Sequence, residues 1–169
     1  MIQINAAARP WPKLAPSEIA ERLQLVAANL GVGTLVITTT VLIHTVGLIF
    51  LSWAMVLVIE WSRLHRHVFG QTIALVTAVL GLFFIHTIEV WVWALLYLSL
   101  GIVPTFEAAL YFSTVTFSTV GYGDITPPLG WRLLCALEGV NGFLLIGWSV
   151  AYLVAASTRH GPFRAGEHF

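Results

Sequence analysis

Residues 119–124 read Thr119-Val120-Gly121-Tyr122-Gly123-Asp124. The stretch follows a short apolar segment, 106–118, and precedes a long one, 132–157. Gly121 and Gly123 lack a Cβ and so can take positive φ. Right- and left-handed residues can then alternate, which turns successive carbonyls to one side and sends Val120 and Tyr122 to the other. Taken alone, the run also fits a Gly-rich turn between two buried helices. The flanks separate the two readings.

The chain has 169 residues, of which 58% are hydrophobic and only 9% charged. Soluble domains carry about 25% charged residues, so this composition predicts an all-α integral membrane protein with the lipid bilayer as its surroundings. A formal net charge of zero leaves no basic footprint for nucleic acid. The one cysteine, Cys135, sits in an apolar run and reads as a small buried hydrophobe. The length permits one domain.

Residues 1–32 form a lead-in. Met1 to Leu30 does not have the form of a signal peptide, and Pro10, Pro12 and Pro16 predict an irregular start. Ser17 can cap a helix running to about Asn29, with Glu18 in its first turn and Arg22 four residues on. Ile19, Leu23 and Val26 share one face. The segment reads either as an amphipathic helix at the membrane surface or as a frayed extension of the next helix. Residues 33–60 are long and apolar enough to span, since about 20 residues suffice. A polar connector follows, with Trp61, Arg63, His65, Arg66 and His67. Residues 71–100 form a second span whose far end is aromatic, with Trp91, Trp93 and Tyr97. Thr105 can cap a short helix over 106–118, with Glu107 in its first turn. That helix is too short to cross a bilayer, so it enters from one face and stops. Pro127 and Pro128 exclude helix just after the Gly-rich run. A third span covers 132–157, and 158–169 is a short polar tail.

From about Gln71 onward the chain resembles the pore module of potassium channels: outer helix 71–100, pore helix 106–118, selectivity filter 119–123, inner helix 132–157. More narrowly it is similar to the small bacterial ion-channel family, with one extra transmembrane helix ahead of the pore. Phe106-Glu107-Ala108-Ala109-Leu110-Tyr111-Phe112-Ser113, leading into the Gly-rich run, and Trp131-Arg132-Leu133-Leu134 through Glu138-Gly139 to Ile146-Gly147-Trp148-Ser149 carry the likeness. The resemblance implies a channel in the bacterial inner membrane that conducts K+ passively. Four filters around one axis present rings of carbonyl oxygens that replace the hydration shell of the ion. One chain supplies one filter, so a homotetramer is expected, with three further copies as partners. Thr119, Val120, Gly121 and Tyr122 would coordinate K+, with Gly123 completing the filter and Asp124 at the pore mouth. K+ is the transported ion; no organic cofactor and no catalytic residue is implied, and the chain is not expected to be an enzyme. Gly142 falls where such inner helices often carry a flexible glycine. It reads as a gating hinge or as a close packing point, with Gly139 and Gly147 as competitors. Tyr111 and Phe112 stand where many potassium channels have a Trp pair, which predicts a different brace behind the filter. Arg and Lys are shared evenly between the two sides, so orientation rests on the resemblance: filter and amino terminus outside, connector and tail in the cytoplasm.

Intramembrane ionisable groups are expensive and are functional suspects. His44, His86, Glu89 and Glu138 lie within the spans, His86 and Glu89 on one face at i, i+3. Some of them are expected to meet in a buried polar cluster behind the filter. It would act as a staple for the extra helix, as a proton sensor or as a divalent-metal site. His65, His67, His160 and His168 belong to the cytoplasmic side. No span has the Arg periodicity of a voltage sensor. Two other functions remain open: a non-conducting regulatory subunit with a channel-like fold, and a metal-dependent membrane enzyme using His44, His86 and Glu89.

Overall fold

The computed structural model describes residues 15–62 and 68–160. Four α-helices carry the described chain: α1 (Pro16–Ser62), α2 (Val68–Ser99), α3 (Phe106–Phe117) and α4 (Arg132–His160), with a single 3-10 turn at Leu129–Trp131. Helices α1, α2 and α4 are long and apolar enough to cross a membrane. His65, His67 and His168, together with Arg9, Lys13, Arg63, Arg66 and Arg164, lie outside the described residues.

The lead-in differs from a separate surface helix. Helix α1 runs without a break for 47 residues, about 70 Å at 1.5 Å per residue and roughly twice the hydrocarbon thickness. It starts at Pro16, a residue preorganised for the first helical position. Ser17 is therefore inside the helix and does not cap it. Glu18 does not reach forward to Arg22; its carboxylate accepts from the backbone N–H of Ala15 at 2.9 Å. The physical reason for continuity lies at Asn29 and Gly33. The amide of Asn29 donates to the carbonyl of Gly130 at 2.9 Å, and its oxygen accepts from the N–H of Leu134 at 3.0 Å. Gly33 sits where a Cβ would come within 2.6 Å of Leu137. Docking on the start of α4 thus keeps the helix continuous through its glycines, and Leu25, one turn before Asn29, also packs against Gly130.

The three long helices form an antiparallel set. Gly47 receives Ile85 and Gly81 receives Leu51, with would-be Cβ contacts of 2.7 and 2.4 Å. The partner number falls on α2 as it rises on α1, so the two helices run opposite ways. Small residues let membrane helices approach this closely where lipid offers no hydrophobic drive. Helix α4 runs parallel to α1: Asn141 donates to Thr40 Oγ1 at 2.9 Å, and Ser52 and Tyr152 hydroxyls meet at 3.2 Å. The hydroxyls of Thr38, Thr39, Thr40, Thr45 and Ser52 each donate to a carbonyl one turn back, which satisfies them in lipid. Leu35, Leu42, Phe50, Trp53 and Leu57 are exposed along α1, as a lipid-facing surface requires.

The principal core joins α2, α3 and α4. Trp93, Ala94 and Tyr97 of α2 pack with Ala109, Phe112 and Phe117 of α3 and with Leu134 and Leu145 of α4. Helix α3 is wedged between its neighbours, capped by Thr105, whose hydroxyl accepts from the N–H of Ala108.

Asn29 supports a direct test of how the extra helix is held. Asn29→Ala leaves the Gly130 carbonyl and the Leu134 N–H without partners at a buried helix start. The expected loss is about 1–3 kcal/mol, read as a lower melting temperature of the detergent-solubilised chain. Thr38→Ala, whose hydroxyl bonds only within its own helix, should change it little.

Candidate functional site

The Gly-rich run hangs from the carboxyl end of α3. Ser118 closes the helix, and Thr119 follows with φ +62°. The N–H of Thr119 donates to the carbonyl of Thr116 at 3.0 Å and that of Val120 to the carbonyl of Val115 at 3.0 Å. These two bonds make a Schellman cap, whose left-handed position is usually glycine. A threonine there costs roughly 1–2 kcal/mol of backbone strain. Gly121 at φ +57° and Gly123 at φ +77° continue the pattern, and Val120 and Tyr122 are not in the left-handed region. Handedness therefore alternates from 119 through 123. All five residues are exposed in the single chain, with Val120 at 53% and Tyr122 at 72%.

A side-chain bond ties the run to α3. The hydroxyl of Tyr111 donates to Asp124 Oδ2 at 2.7 Å. Tyr111 thus ties the run to α3, while Phe112 is buried against Tyr97, ring centroids 5.3 Å apart. Both Tyr111 and Asp124 lie outside the three spanning helices. The Tyr111 hydroxyl holds the Asp124 carboxyl below its ordinary value, and the same bond raises the Tyr111 phenol. A lowered carboxyl stabilises the fold at neutral pH and loses that contribution as pH falls through its folded value. A raised phenol keeps its contribution until pH climbs past the ordinary tyrosine range. The brace is therefore intact across the neutral range. Tyr111→Phe should weaken it at every neutral pH, whereas the native chain loses it only in acid below the usual carboxylate range. Fluorescence of a probe at the 119–124 loop, followed against pH in both proteins, reads this difference.

Gly142 lies against the end of α3. A Cβ there would fall 2.1 Å from the backbone oxygen of Phe117. At Gly139 the nearest atom would be the Thr116 oxygen at 3.6 Å, and at Gly147 there is nothing within 4 Å. Of the three glycines, Gly142 has the close backbone approach.

The four intramembrane candidates divide into two groups. His44 Nδ1 meets Glu89 Oε1 at 2.9 Å, His86 Nδ1 meets Glu89 Oε2 at 2.8 Å, and His86 Nε2 meets Ser149 Oγ at 2.9 Å. These contacts link α1, α2 and α4. Glu138 does not join them. It accepts from Tyr97 and from Ser113, whose hydroxyl also lies 3.0 Å from the Val90 carbonyl. Its distance along α4 from Ser149 is about 16 Å, which separates the two groups. Glu138 instead binds α2, α3 and α4 together directly behind the short helix. Sequence reasoning missed Asn29, Thr40, Ser52, Asn141 and Ser149. Polar residues facing other helices inside apolar spans are the signal that marks them.

Residues 83–159 match a family model described as ion channel. The match begins within α2, takes in the short helix and the Gly-rich run, and ends near the end of α4. Comparison with curated proteins and with solved structures finds no match. The described residues are thus all-helical, with three helices long and apolar enough to cross a membrane as in an integral membrane protein, and just under half of the chain is similar to an ion-channel family.

Proposed function

We propose that the protein is a potassium-selective channel, a homotetramer that passes K+ through a filter of backbone oxygens at residues 119–123. The observation that carries this reading is the alternating handedness of Thr119 to Gly123, hung from the capped end of α3. A helix that needed only a stop would take glycine at position 119. Threonine there accepts strain and places a hydroxyl oxygen beside the carbonyls, and strained residues cluster at functional sites. Four such loops replace the ion's water shell, and repulsion between neighbouring ions moves them through.

Exposure supports several copies around one axis. Val120 and Tyr122 are exposed on the Gly-rich run, and Val140, Phe143 and Leu144 form an exposed apolar face on α4. Further copies would bury both. Gly142 then serves as the seat of the pore helix on the inner helix. Tyr111 and Glu138 fix that helix from its two sides.

Purified protein in K+-loaded liposomes should release K+, should not release Na+ when it replaces K+, and should be blocked by Ba2+. No K+ flux would overturn the proposal. Thr119→Ala removes one hydroxyl oxygen per chain and, lacking the β-branch, is no more strained at the left-handed position than threonine. It should fold, conduct less and lose Ba2+ affinity by about tenfold, the equivalent of one charge-assisted contact worth roughly 1.4 kcal/mol. Unchanged block would show that position 119 does not face the ion.

A further inference from the structure

Two histidines converge on one carboxylate that no cationic side chain of the spans can neutralise. Each imidazole turns Nδ1 to a different oxygen of Glu89, at 2.9 Å from His44 and 2.8 Å from His86. The side chains of His44 and Glu89 have no exposure at all. Residues 33–60, 71–100 and 133–157 contain no lysine or arginine, and a buried charge without an opposite one is expensive in a membrane. Hydrogen bonding alone does not account for a histidine at position 44. Its Nδ1 serves Glu89, but its Nε2 is buried and has no hydrogen-bond partner, an uncompensated cost. A hydroxyl such as that of Thr40, which joins α1 to Asn141 of α4, staples helices without leaving a buried nitrogen. The demand for an imidazole is met when the ring is a metal ligand.

Two imidazoles and one carboxylate form a zinc donor set that leaves a fourth position open. Their ligand atoms all lie within 4.8 Å of one another. Tetrahedral bonds of about 2.0–2.1 Å hold ligand atoms about 3.3 Å apart. That spacing falls between the 2.8 Å of the closest pair and the 4.8 Å that bounds the group. His86 is also oriented from outside the set, since its Nε2 lies 2.9 Å from Ser149 Oγ. With Nδ1 on an ion, Nε2 carries the proton and donates to the serine, the outer partner that metal-bound histidines commonly have. On His44 the same tautomer leaves its N–H beside the Trp148 ring, 5.3 Å away, an aromatic neighbour that such a group can meet weakly. His86 and Ser149 line a groove of about 590 Å³ between α2, α3 and α4, which provides the entry path. A divalent ion with Glu89 carries one positive charge, and a hydroxide or other small anion reaching the fourth position by the groove brings it to zero. Nitrogen ligands select zinc over magnesium and calcium, which take oxygen.

We propose that His44 Nδ1, His86 Nδ1 and the Glu89 carboxylate bind one Zn2+ per chain, with Ser149 as the orienting outer partner. One ligand comes from α1 and two come from a single face of α2. The ion therefore clasps the extra helix to the segment that matches the ion-channel family, and Ser149 extends the clasp to α4. Glu138 is held by Tyr97 and Ser113 and supplies no fourth ligand. The site lies apart from the Gly-rich run and does not depend on the passage of K+.

The test uses the full chain in detergent, without a polyhistidine tag, stripped by a chelator and titrated with Zn2+ or Co2+. One Zn2+ per chain should bind and raise the melting temperature by about 5–10 °C at a hundredfold excess of free ion over Kd. Co2+ should give the strong visible absorption of a tetrahedral site. His44→Ala and His86→Gln should each weaken binding by at least about a hundredfold, and Ser149→Ala by about tenfold. His160→Ala, at the end of α4, should leave it unchanged. With ¹⁵N-labelled histidine in the native chain, Zn2+ should shift the Nδ1 signals of two histidines and no others. That measurement needs no variant and decides the site where a variant fails to fold. No stoichiometric zinc, an octahedral Co2+ spectrum, or binding undiminished in His44→Ala overturns the proposal. Zinc binding of this kind in a protein that passes no K+ in liposomes upholds the site and overturns the channel reading alone.

Discussion

Gly142→Ala is expected to dislodge the short helix from α4 and, on the potassium-channel reading proposed above, to abolish K+ flux. The added Cβ would lie 2.1 Å from the Phe117 oxygen and 2.7 Å from its carbonyl carbon. Both are backbone atoms at the last turn of α3, so no side-chain rotation relieves the overlap. Either α3 moves outward or α4 bends, and the Schellman cap that sets Thr119 moves with it. Overpacking of a well-filled site typically costs 1–3 kcal/mol, and a backbone obstacle puts this substitution at about 3 kcal/mol or above. The effect would outweigh the roughly 1 kcal/mol that alanine gains over glycine in helix propensity. Gly139→Ala is the control, since its nearest atom at 3.6 Å is an ordinary contact. Melting temperature and flux measured on both variants decide the matter. A Gly142→Ala protein that melts and conducts like the native one would show that α3 and α4 are not seated as described. A hinge at Gly142 and a seat at Gly142 differ in the same experiment: loss of a hinge slows gating in a stable protein, whereas loss of the seat lowers stability.

Gly121→Ala should show the opposite division, with conduction lost and the fold kept. Nothing lies within 4 Å of a Cβ at Gly121 in the single chain, but its φ of +57° is one that L residues rarely adopt. The strain of about 1–2 kcal/mol is relieved most easily by rotating the residue to negative φ, which turns one carbonyl away from its neighbours. The run is exposed and contributes little to the core, so the melting temperature should hardly change. On the proposed tetrameric channel, losing one ring of four oxygens should reduce K+ flux by about a hundredfold or more, taking roughly 2.7 kcal/mol as the penalty of an incompletely coordinated ion. Na+ should no longer be excluded. Wild-type selectivity in Gly121→Ala would mean that the alternation of handedness is incidental to conduction.

Much of the architecture follows from local chemistry. Length and apolarity mark three spans. A helix of 12 residues, capped by Thr105 with Glu107 in its first turn, cannot cross a bilayer. Gly121 and Gly123 mark the positions where the backbone turns left-handed. Each depends on residues a few positions apart, so each is legible from the chain alone.

What only the tertiary structure decided are matters of contact between helices distant in sequence. Whether α1 stops or continues near Gly31 and Gly33 depends on Asn29 reaching Gly130 and Leu134, about a hundred positions away. That Glu138 parts company with His44, His86 and Glu89 depends on the register of α4 against α2, which places Tyr97 and Ser113 beside it. Gly142 became a packing seat because the carbonyl of Phe117 happens to lie over it. Thr119 took the left-handed position because the helix before it ends in a cap that demands one. Apolar spacing along one helix specifies which face is buried. It does not specify the rotation and axial offset that bring one polar atom opposite another, and those are fixed by how small residues let the helices close together.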